Sequence, residues 1–413
     1  MSELSYRRRD CRLCHGTELD LVLKLTPTPL ADAYIPPAQA RVPQPVFPLD
    51  LFLCRGCGFA QLLDVVQAQA IYLDYIYETV SSLGLVEHFD QYAAEVLERI
   101  RPPAGSLVAD IGSNDGTLLK SFQKRGMKVL GIDPAREIAR RATAAGVETL
   151  PEFFTVPLAK RLRRERGPAA IITANNVIAN IDNLDEVVAA VRELLALDGV
   201  LVFESYYLGD LVSNMVFDFI YHEHISSFAV KPVELFFRRH GLELVDVLRV
   251  PTKGGSLRYT IQLADGPRKV APIVAQLKEL EARQGLDRPE TFSQFNARIE
   301  SAKQAVLGFL RPLKAQGKKI AGYGASATTT TLLYHFELGG LLDYLVDDYP
   351  AKQGLLSPGL HLPVLPSEAI DQRRADYVVV LAWRYYEPIM RHHPEFTARG
   401  GRFLVPMPEL KLL

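Results

Sequence analysis

In the stretch FDFIYHEHISSF, residues Phe217 to Phe228, the chain sets Tyr221, His222, Glu223 and His224 in four successive positions. A phenol, two imidazoles and a carboxylate among apolar neighbours suit three roles. They can ligate a metal, move protons, or form a buried hydrogen-bonded cluster with no chemistry. A His-x-His pair needs further ligands on matching strands to hold a metal. In a strand, His222 and His224 would share one face, with Tyr221 and Glu223 on the other. In a helical turn, Tyr221 and His224 would meet instead. Histidine's ordinary pKa, about 6.5, suits it to take a proton from a weak carbon acid near neutral pH.

A metal has a better place elsewhere. All four cysteines fall in the first sixty residues, as Cys11-Arg12-Leu13-Cys14 and Cys54-Arg55-Gly56-Cys57. Two residues between thiols let both sulfurs face one ion, and two such knuckles complete a tetrahedral four-thiolate site. Zinc is the expected occupant, in a structural role, because four thiolates leave no open position for a substrate. The competing readings are two disulfides, which a reducing cytosol disfavours, and four unrelated core cysteines, a weak account when no other cysteine occurs in the chain. The Pro-rich segment between the pairs is expected to draw most of its order from the metal.

The elements that must position these groups follow a βαβ pattern from Leu107 onward. LVADIGSNDGTLLKSF reads as strand, glycine loop and helix, and KVLGIDPA as a second strand ending at Asp133. AAIITANNVIANI and VLVFESYY supply two more strands. A parallel α/β sheet binds ligands at the carboxyl ends of its strands. Those tips carry Asp110, Gly112, Asn114, Asp133, Asn176 and Glu204. Asp133, twenty-one residues after Gly112, is placed to accept hydrogen bonds from ribose hydroxyls. Nicotinamide dinucleotides and S-adenosylmethionine share that geometry. Asp110 and Asp115 would repel a pyrophosphate and attract a sulfonium and an ammonium, which favours S-adenosylmethionine. The later pair GLELVDVLRV and GGSLRYTIQLADG implies a hairpin, hence an antiparallel strand ending a class I methyltransferase sheet. Asp110, Gly112, Asn114, Asp133 and Asn176 are the cofactor-binding candidates.

The chain then turns helical from about Val270 to Lys314, with Phe292, Phe295, Ile299, Ala302, Val306, Phe309 and Leu313 on one apolar stripe. KKIAGYGASATTTTLLYHF, LLDYLVDD and ADYVVVLAW read as a second α/β unit. Its GYGAS loop opens a helix, so its N–H groups suit an anion such as phosphate, or simply a tight strand–helix turn.

Composition bounds the class. The 413 residues are 48% hydrophobic and 23% charged, with Lys+Arg 47 against Asp+Glu 48. That balance gives no overall bias toward nucleic acid or anionic membrane, and the basic run Lys160 to Arg166 reads as a solvated helix face. No apolar run approaches the roughly 20 residues of a membrane span, and MSELSYRRRD has no secretory apolar region. A cytoplasmic monomer is the expectation.

CRLC…CRGC, DIGSNDGTLL, ANNVIANI, IYHEHISSF, GYGAS and VDDYPAKQGLLSPGLHLPVLP together resemble the bacterial sugar C-methyltransferases of nucleotide-linked deoxysugars, the family of the tetronitrose C-3 methyltransferase. The likeness runs in order over nearly the whole chain. It implies a zinc-binding domain (1–75), a central S-adenosylmethionine-binding methyltransferase domain (76–268) and a C-terminal α/β domain (269–413) completing a sugar-nucleotide site. It implies methylation at C-3 of a dTDP-4-keto-deoxysugar through an enolate. His224 matches the family's base, with Glu223 and Tyr221 in the same pocket, which suggests an irregular or helical turn. A further tyrosine maps to Tyr75 or Tyr77. Substrate contacts are implied for His222, Tyr323, Gly324, Ala325, Ser326 and Lys352. One departure is Asn180, where the family has a histidine. Asparagine hydrogen-bonds but exchanges no proton near neutral pH. A second is ETVSSLG, where aromatic and serine-rich sequence is usual. A related enzyme of the same fold acting on a different acceptor, an epimerase without methyl transfer, or a binding protein without turnover are the competing readings.

Overall fold

Apolar runs flanked by glycine turns become the strands of three larger sheets, beside a two-stranded ribbon of Ser5–Arg7 with Asp64–Val66, in a computed structural model that describes residues 4–72 and 84–413. The candidates Tyr75 and Tyr77 lie outside the described residues. In the first segment β1 (Leu19–Thr28), β2 (Phe47–Cys54) and β3 (Ala60–Leu62) form an antiparallel meander. The middle segment contributes β4 (Leu107–Ile111), β5 (Lys128–Ile132), β6 (Thr149–Leu150), β7 (Ala169–Asn175), β8 (Leu195–Tyr206), β9 (Ser226–Ser227), β10 (Leu242–Val250) and β11 (Ser256–Leu263). Seven of these make one sheet in the order β10-β11-β8-β7-β4-β5-β6. All its pairs are parallel except β8 with β11 and β10 with β11. The expected hairpin is therefore present, and it turns over Thr252–Gly254. Every residue of β4 is buried, as a strand covered on both faces requires.

The last segment is introduced by the helices Pro272–Gln284 and Pro289–Ala315. The second buries Phe292, Phe295, Ile299, Ala302, Val306 and Leu310 along the expected stripe, while Phe309 and Leu313 flank the core, partly buried. β12 (Ile320–Tyr323), β13 (Tyr344–Val346), β14 (Val364–Leu365), β15 (Tyr377–Val380), β16 (Arg402–Val405) and β17 (Lys411–Leu412) follow, in the order β14-β13-β12-β15-β16-β17. The basic run lies on the helix Val156–Arg166 with Lys160, Arg164 and Arg166 exposed. Among the described residues no helix is long and apolar enough to cross a membrane.

Two features set up the site. First, the Pro-rich segment has a packed interior of its own: Leu23, Leu25, Leu49, Leu51 and Leu53 are buried in a core continuous with the other segments. Cys11, Cys54 and Cys57 belong to this same core, so the leucine packing and the thiolate cluster adjoin. Second, β9 leaves the middle sheet and pairs with β3, giving the order β9-β3-β2-β1. The stretch just before β9 is Tyr221–His224, so the chemical motif sits at the seam of the three segments.

Candidate active site

Each segment holds one end of the motif. Phe217–Phe219 form a short 3-10 turn. After it, the Ile220 carbonyl accepts a hydrogen bond from Thr331 Oγ1 at 3.0 Å. Asp218 accepts from Trp383 Nε1 at 3.1 Å and from Arg384 at 3.0 Å. The Ile225 carbonyl accepts from the Leu62 amide at 3.0 Å. The turn is irregular, so His224 folds back on Tyr221 as in a helical turn. The Tyr221 hydroxyl lies 2.9 Å from His224 Nε2, with ring centroids 4.0 Å apart. His224 Nδ1 lies 2.8 Å from the Phe219 carbonyl. A carbonyl only accepts, so Nδ1 carries the proton and Nε2 offers its lone pair to the tyrosine hydroxyl. Burial, with Lys253 nearby, lowers the His224 pKa to about 3, so the ring is neutral at pH 7.

His222 faces the other way. Its Nε2 donates to the Phe47 carbonyl at 3.2 Å, and its buried Nδ1 has no partner among the described residues. Burial lowers its pKa to about 4. Tyr221, His222, Glu223 and His224 all line one cavity of about 970 Å³. Asn180, in the 3-10 turn Ile178–Asn180, lines it too.

At the sheet side of this cavity lie the strand-tip residues Asp110, Gly112, Asn114, Asp133 and Asn176. Gly112 has a φ of 70°, and a β-carbon there would fall 2.8 Å from Val177, so only glycine lets the loop lie this close. Asp133 accepts from the Asn114 amide at 2.8 Å and the Ala135 amide at 2.9 Å. Each of its oxygens keeps a second acceptor site for a ribose hydroxyl. Ser113 Oγ is buried here without a partner. Burial raises the Asp110 pKa to about 7, against the hydrogen bond from Thr173 at 2.6 Å. These groups fit a cationic adenosyl ligand: an unpaired buried hydroxyl, two acids and a glycine cradle. Glu204, the remaining strand-tip acid, is instead consumed by His88 at 2.8 Å, Arg258 at 3.1 Å and Thr252 at 3.0 Å.

A pH signature follows. The ionised form of Asp110 attracts a sulfonium or ammonium and the protonated form does not. S-adenosylmethionine affinity is therefore expected to be highest above pH 7. Below that it should weaken by up to about tenfold per pH unit. Calorimetry between pH 5.5 and 8 checks this, and Asp110→Asn should flatten the profile.

At the opposite side the C-terminal segment contributes Ala325, Ser326 and Lys352. Lys352 Nζ donates to Asp32 and to the Ala325 carbonyl and lies over the Tyr34 ring. Two residues expected with them are placed otherwise. Tyr323 points to Asp348 at 2.6 Å and His393 at 3.3 Å, away from the cavity. Gly324 gives its amide to the Val346 carbonyl at 2.8 Å. The Ala325 amide is likewise taken, by Asp347 at 2.6 Å. Strand alternation explains Tyr323, since the residue ending β12 must face the helix layer opposite its neighbour.

Tyr72, Lys253 and Arg384 also line the cavity and were not singled out from the sequence. Burial and the Glu223 carboxylate push the Tyr72 phenol well above the ordinary value. The run YLDYIY pointed to this neighbourhood but not to its first tyrosine. A lysine followed by two glycines in a hairpin was the only sequence signal for Lys253.

The four cysteines form a separate centre. Cys11 and Cys57 sulfurs are 3.7 Å apart and Cys14 and Cys54 sulfurs 3.5 Å apart, with all four within 4.8 Å. Disulfides need about 2.05 Å. A tetrahedral zinc with bonds of about 2.3 Å sets sulfurs about 3.8 Å apart, so the cluster fits that ion.

Three family models match successive stretches of the chain. Residues 11–72 match the family described as "Putative zinc binding domain", residues 67–247 the "Methyltransferase domain", and residues 251–408 the "C-methyltransferase C-terminal domain". The chain is 34% identical over 406 residues to C-methyltransferase NovU of Streptomyces niveus, covering 98% of this chain and 96% of that one. Among solved structures it is similar to the PH0226 protein of Pyrococcus horikoshii OT3, at 15% identity and a TM-score of 0.38, over 45% of this chain and 94% of that one. It is also similar to the 1,6-didemethyltoxoflavin-N1-methyltransferase of Burkholderia thailandensis, at 18% identity and a TM-score of 0.33, over 43% of this chain and 78% of that one. With a C-methyltransferase matched over nearly the whole of both chains, and with cysteine, strand-tip and motif residues in place, the protein belongs to the S-adenosylmethionine-dependent C-methyltransferase family.

Proposed function

We propose that the protein methylates C-3 of a nucleotide-linked 4-keto-deoxysugar, with a dTDP-sugar as the first candidate, through an enolate. The observation that carries this reading is the neutral Tyr221–His224 pair, facing the same cavity as the strand-tip acids and the C-terminal Ser326 and Lys352. A cavity of about 970 Å³ has room for a methyl donor and a sugar nucleotide together. A proton α to a ketone is weakly acidic, so its removal needs a positioned base and a low-dielectric site. His224 Nε2 is that base. Because the Tyr221 hydroxyl covers it, the carbon's proton passes to the tyrosine oxygen while the tyrosine's own proton passes to Nε2. Glu223 offsets the charge of the imidazolium that results. The unpaired Nδ1 of His222 accepts from a sugar hydroxyl. When bound, S-adenosylmethionine supplies the methyl group that the nucleophilic carbon takes.

Asn180 leaves this route intact, because its side-chain amide reaches the Asn176 carbonyl and neither hydrogen bond of the Tyr221–His224 pair runs through it. The test is incubation in heavy water with a panel of nucleotide-linked 4-keto-deoxysugars. Deuterium should enter at C-3, and with the methyl donor present the product should gain one methylene mass. Exchange without mass gain would point to an epimerase, and neither event on any acceptor would end the enolate reading.

A further inference from the structure

An enolate needs a positive partner for its oxygen, and the tyrosine and histidine donors of the motif itself are already committed among the described residues. The Tyr221 hydroxyl donates to His224, His224 Nδ1 to the Phe219 carbonyl, and His222 Nε2 to the Phe47 carbonyl. Of the cationic chains lining the cavity, Arg384 is held by Asp218 and Lys352 by Asp32 and the Ala325 carbonyl. Lys253 alone forms no ion pair or hydrogen bond among the described residues, yet lines the same cavity. It feels the charges of Glu223 and Glu204, and His224 feels its charge in turn.

The hairpin tip that carries Lys253 is firmly held. Thr252 Oγ1 donates to Glu204 at 3.0 Å, Ser256 Oγ to the Thr252 carbonyl at 3.1 Å, and Asn214 Nδ2 to the Gly254 carbonyl at 3.1 Å. Glu204 is in turn fixed by His88 and Arg258. Lys253 has a φ of 55°, which side-chain-bearing residues seldom adopt, and Gly254 and Gly255 follow at 86° and 124°. A β-carbon at Gly255 would strike the Asp210 carboxylate. Strained backbone held by so many contacts points to a side chain aimed on purpose.

We propose that Lys253 is a catalytic residue whose ammonium stabilises the enolate oxygen formed when the Tyr221–His224 pair takes the acceptor's proton. This rests on the enolate reading given above. The ammonium bonds to the developing oxyanion without transferring its proton, so charge is compensated while the carbon stays nucleophilic. Burial pulls the lysine pKa down to about 8, and the ammonium still dominates at pH 7. Glu204 acts at one remove, as a positioning residue for the tip.

The test compares wild type with Lys253→Met and Lys253→Arg, in heavy water, on a nucleotide-linked 4-keto-deoxysugar. Deuterium exchange at C-3 and methyl transfer are followed together, with S-adenosylhomocysteine binding by calorimetry. Lys253→Met should slow both reactions by about 10²-fold, as loss of an oxyanion donor does, while S-adenosylhomocysteine affinity and melting temperature stay at wild-type values. Lys253→Arg, which keeps the charge, should recover most of the exchange rate. Exchange by Lys253→Met within threefold of wild type would overturn the proposal alone. So would a variant that loses S-adenosylhomocysteine binding, since that places Lys253 in the donor site. Wild type inert on every acceptor would instead remove the enolate reading and this role with it.

Discussion

His224→Gln is expected to lose at least about 10³-fold in both C-3 deuterium exchange and methyl transfer, within the range seen when a positioned acid–base group is removed. Glutamine can accept from the Tyr221 hydroxyl and donate to the Phe219 carbonyl, so the two hydrogen bonds of the imidazole survive. It cannot bind the proton that leaves the acceptor. Binding of S-adenosylhomocysteine should stay within about twofold, because the donor half of the cavity belongs to the tips of β4, β5 and β7. His224→Ala should lose the same activity and also stability, since it strands a buried hydroxyl. A His224→Gln enzyme keeping more than a tenth of wild-type exchange would remove His224 from the base role. The pH behaviour adds a second check. In the folded protein His222 and His224 stay neutral down to about 4 and about 3. In the unfolded chain they bind protons below about 6.5. The unfolded state therefore holds more protons between those limits, and stability must fall as pH drops through that window. Substituting either histidine by glutamine should shallow the slope of melting temperature against pH.

Cys54→Ser, or removal of zinc by a chelator, is expected to lower the melting temperature by about 10 °C or more and to abolish exchange. Structural zinc in small domains contributes on the order of 10 kcal/mol, though the packed leucines of β1 and β2 make this segment less dependent on it. The loss reaches the active site through Arg12, which lies between the first two cysteines and is almost wholly buried. Its guanidinium donates to Asp182 at 2.9 Å, to the Ile225 carbonyl at 3.0 Å and to the Leu62 carbonyl at 3.0 Å. Asp182 lines the cavity two residues beyond Asn180, and Ile225 directly follows His224. Releasing the knuckle would leave a buried charge without its partners and take one hydrogen bond from each of two buried carbonyls, which is costly in an apolar setting. S-adenosylhomocysteine binding should persist, because Asp110 and Asp133 sit on the middle sheet. Metal content, melting temperature and exchange rate, measured on the same samples, check the coupling. A metal-free protein with wild-type exchange would disprove it.

The chemistry-bearing clusters were legible because their information is local. Two Cys-x-x-Cys knuckles can converge on one ion by geometry alone. A glycine loop followed by an acid at the next strand's end marks the donor site in any parallel sheet, and the apolar stripe of Pro289–Ala315 states its own buried face. The hairpin that closes the middle sheet was equally readable from its glycine turn. Tyr323 shows the limit of that locality. Its loop is where the sequence places it, but a strand's alternation sends the side chain to Asp348 and away from the cavity.

What the sequence determined by itself was the inventory: a thiolate site, a donor-binding sheet, and a quartet of Tyr221, His222, Glu223 and His224 whose side chains suit proton transfer. The tertiary structure alone decided how those parts meet. It paired β9 with β3, so that the first segment grips the motif, and it set Thr331 and Arg384 of the third segment against the motif's other end. It also chose which cavity lysine has no ion-pair partner among the described residues. Arg384 and Lys352 find acids from distant parts of the chain, Asp218 and Asp32, and Lys253 does not. Such outcomes depend on long-range packing, where the partner of a buried charge is whichever group the folded core brings within reach, and no spacing along the chain encodes that.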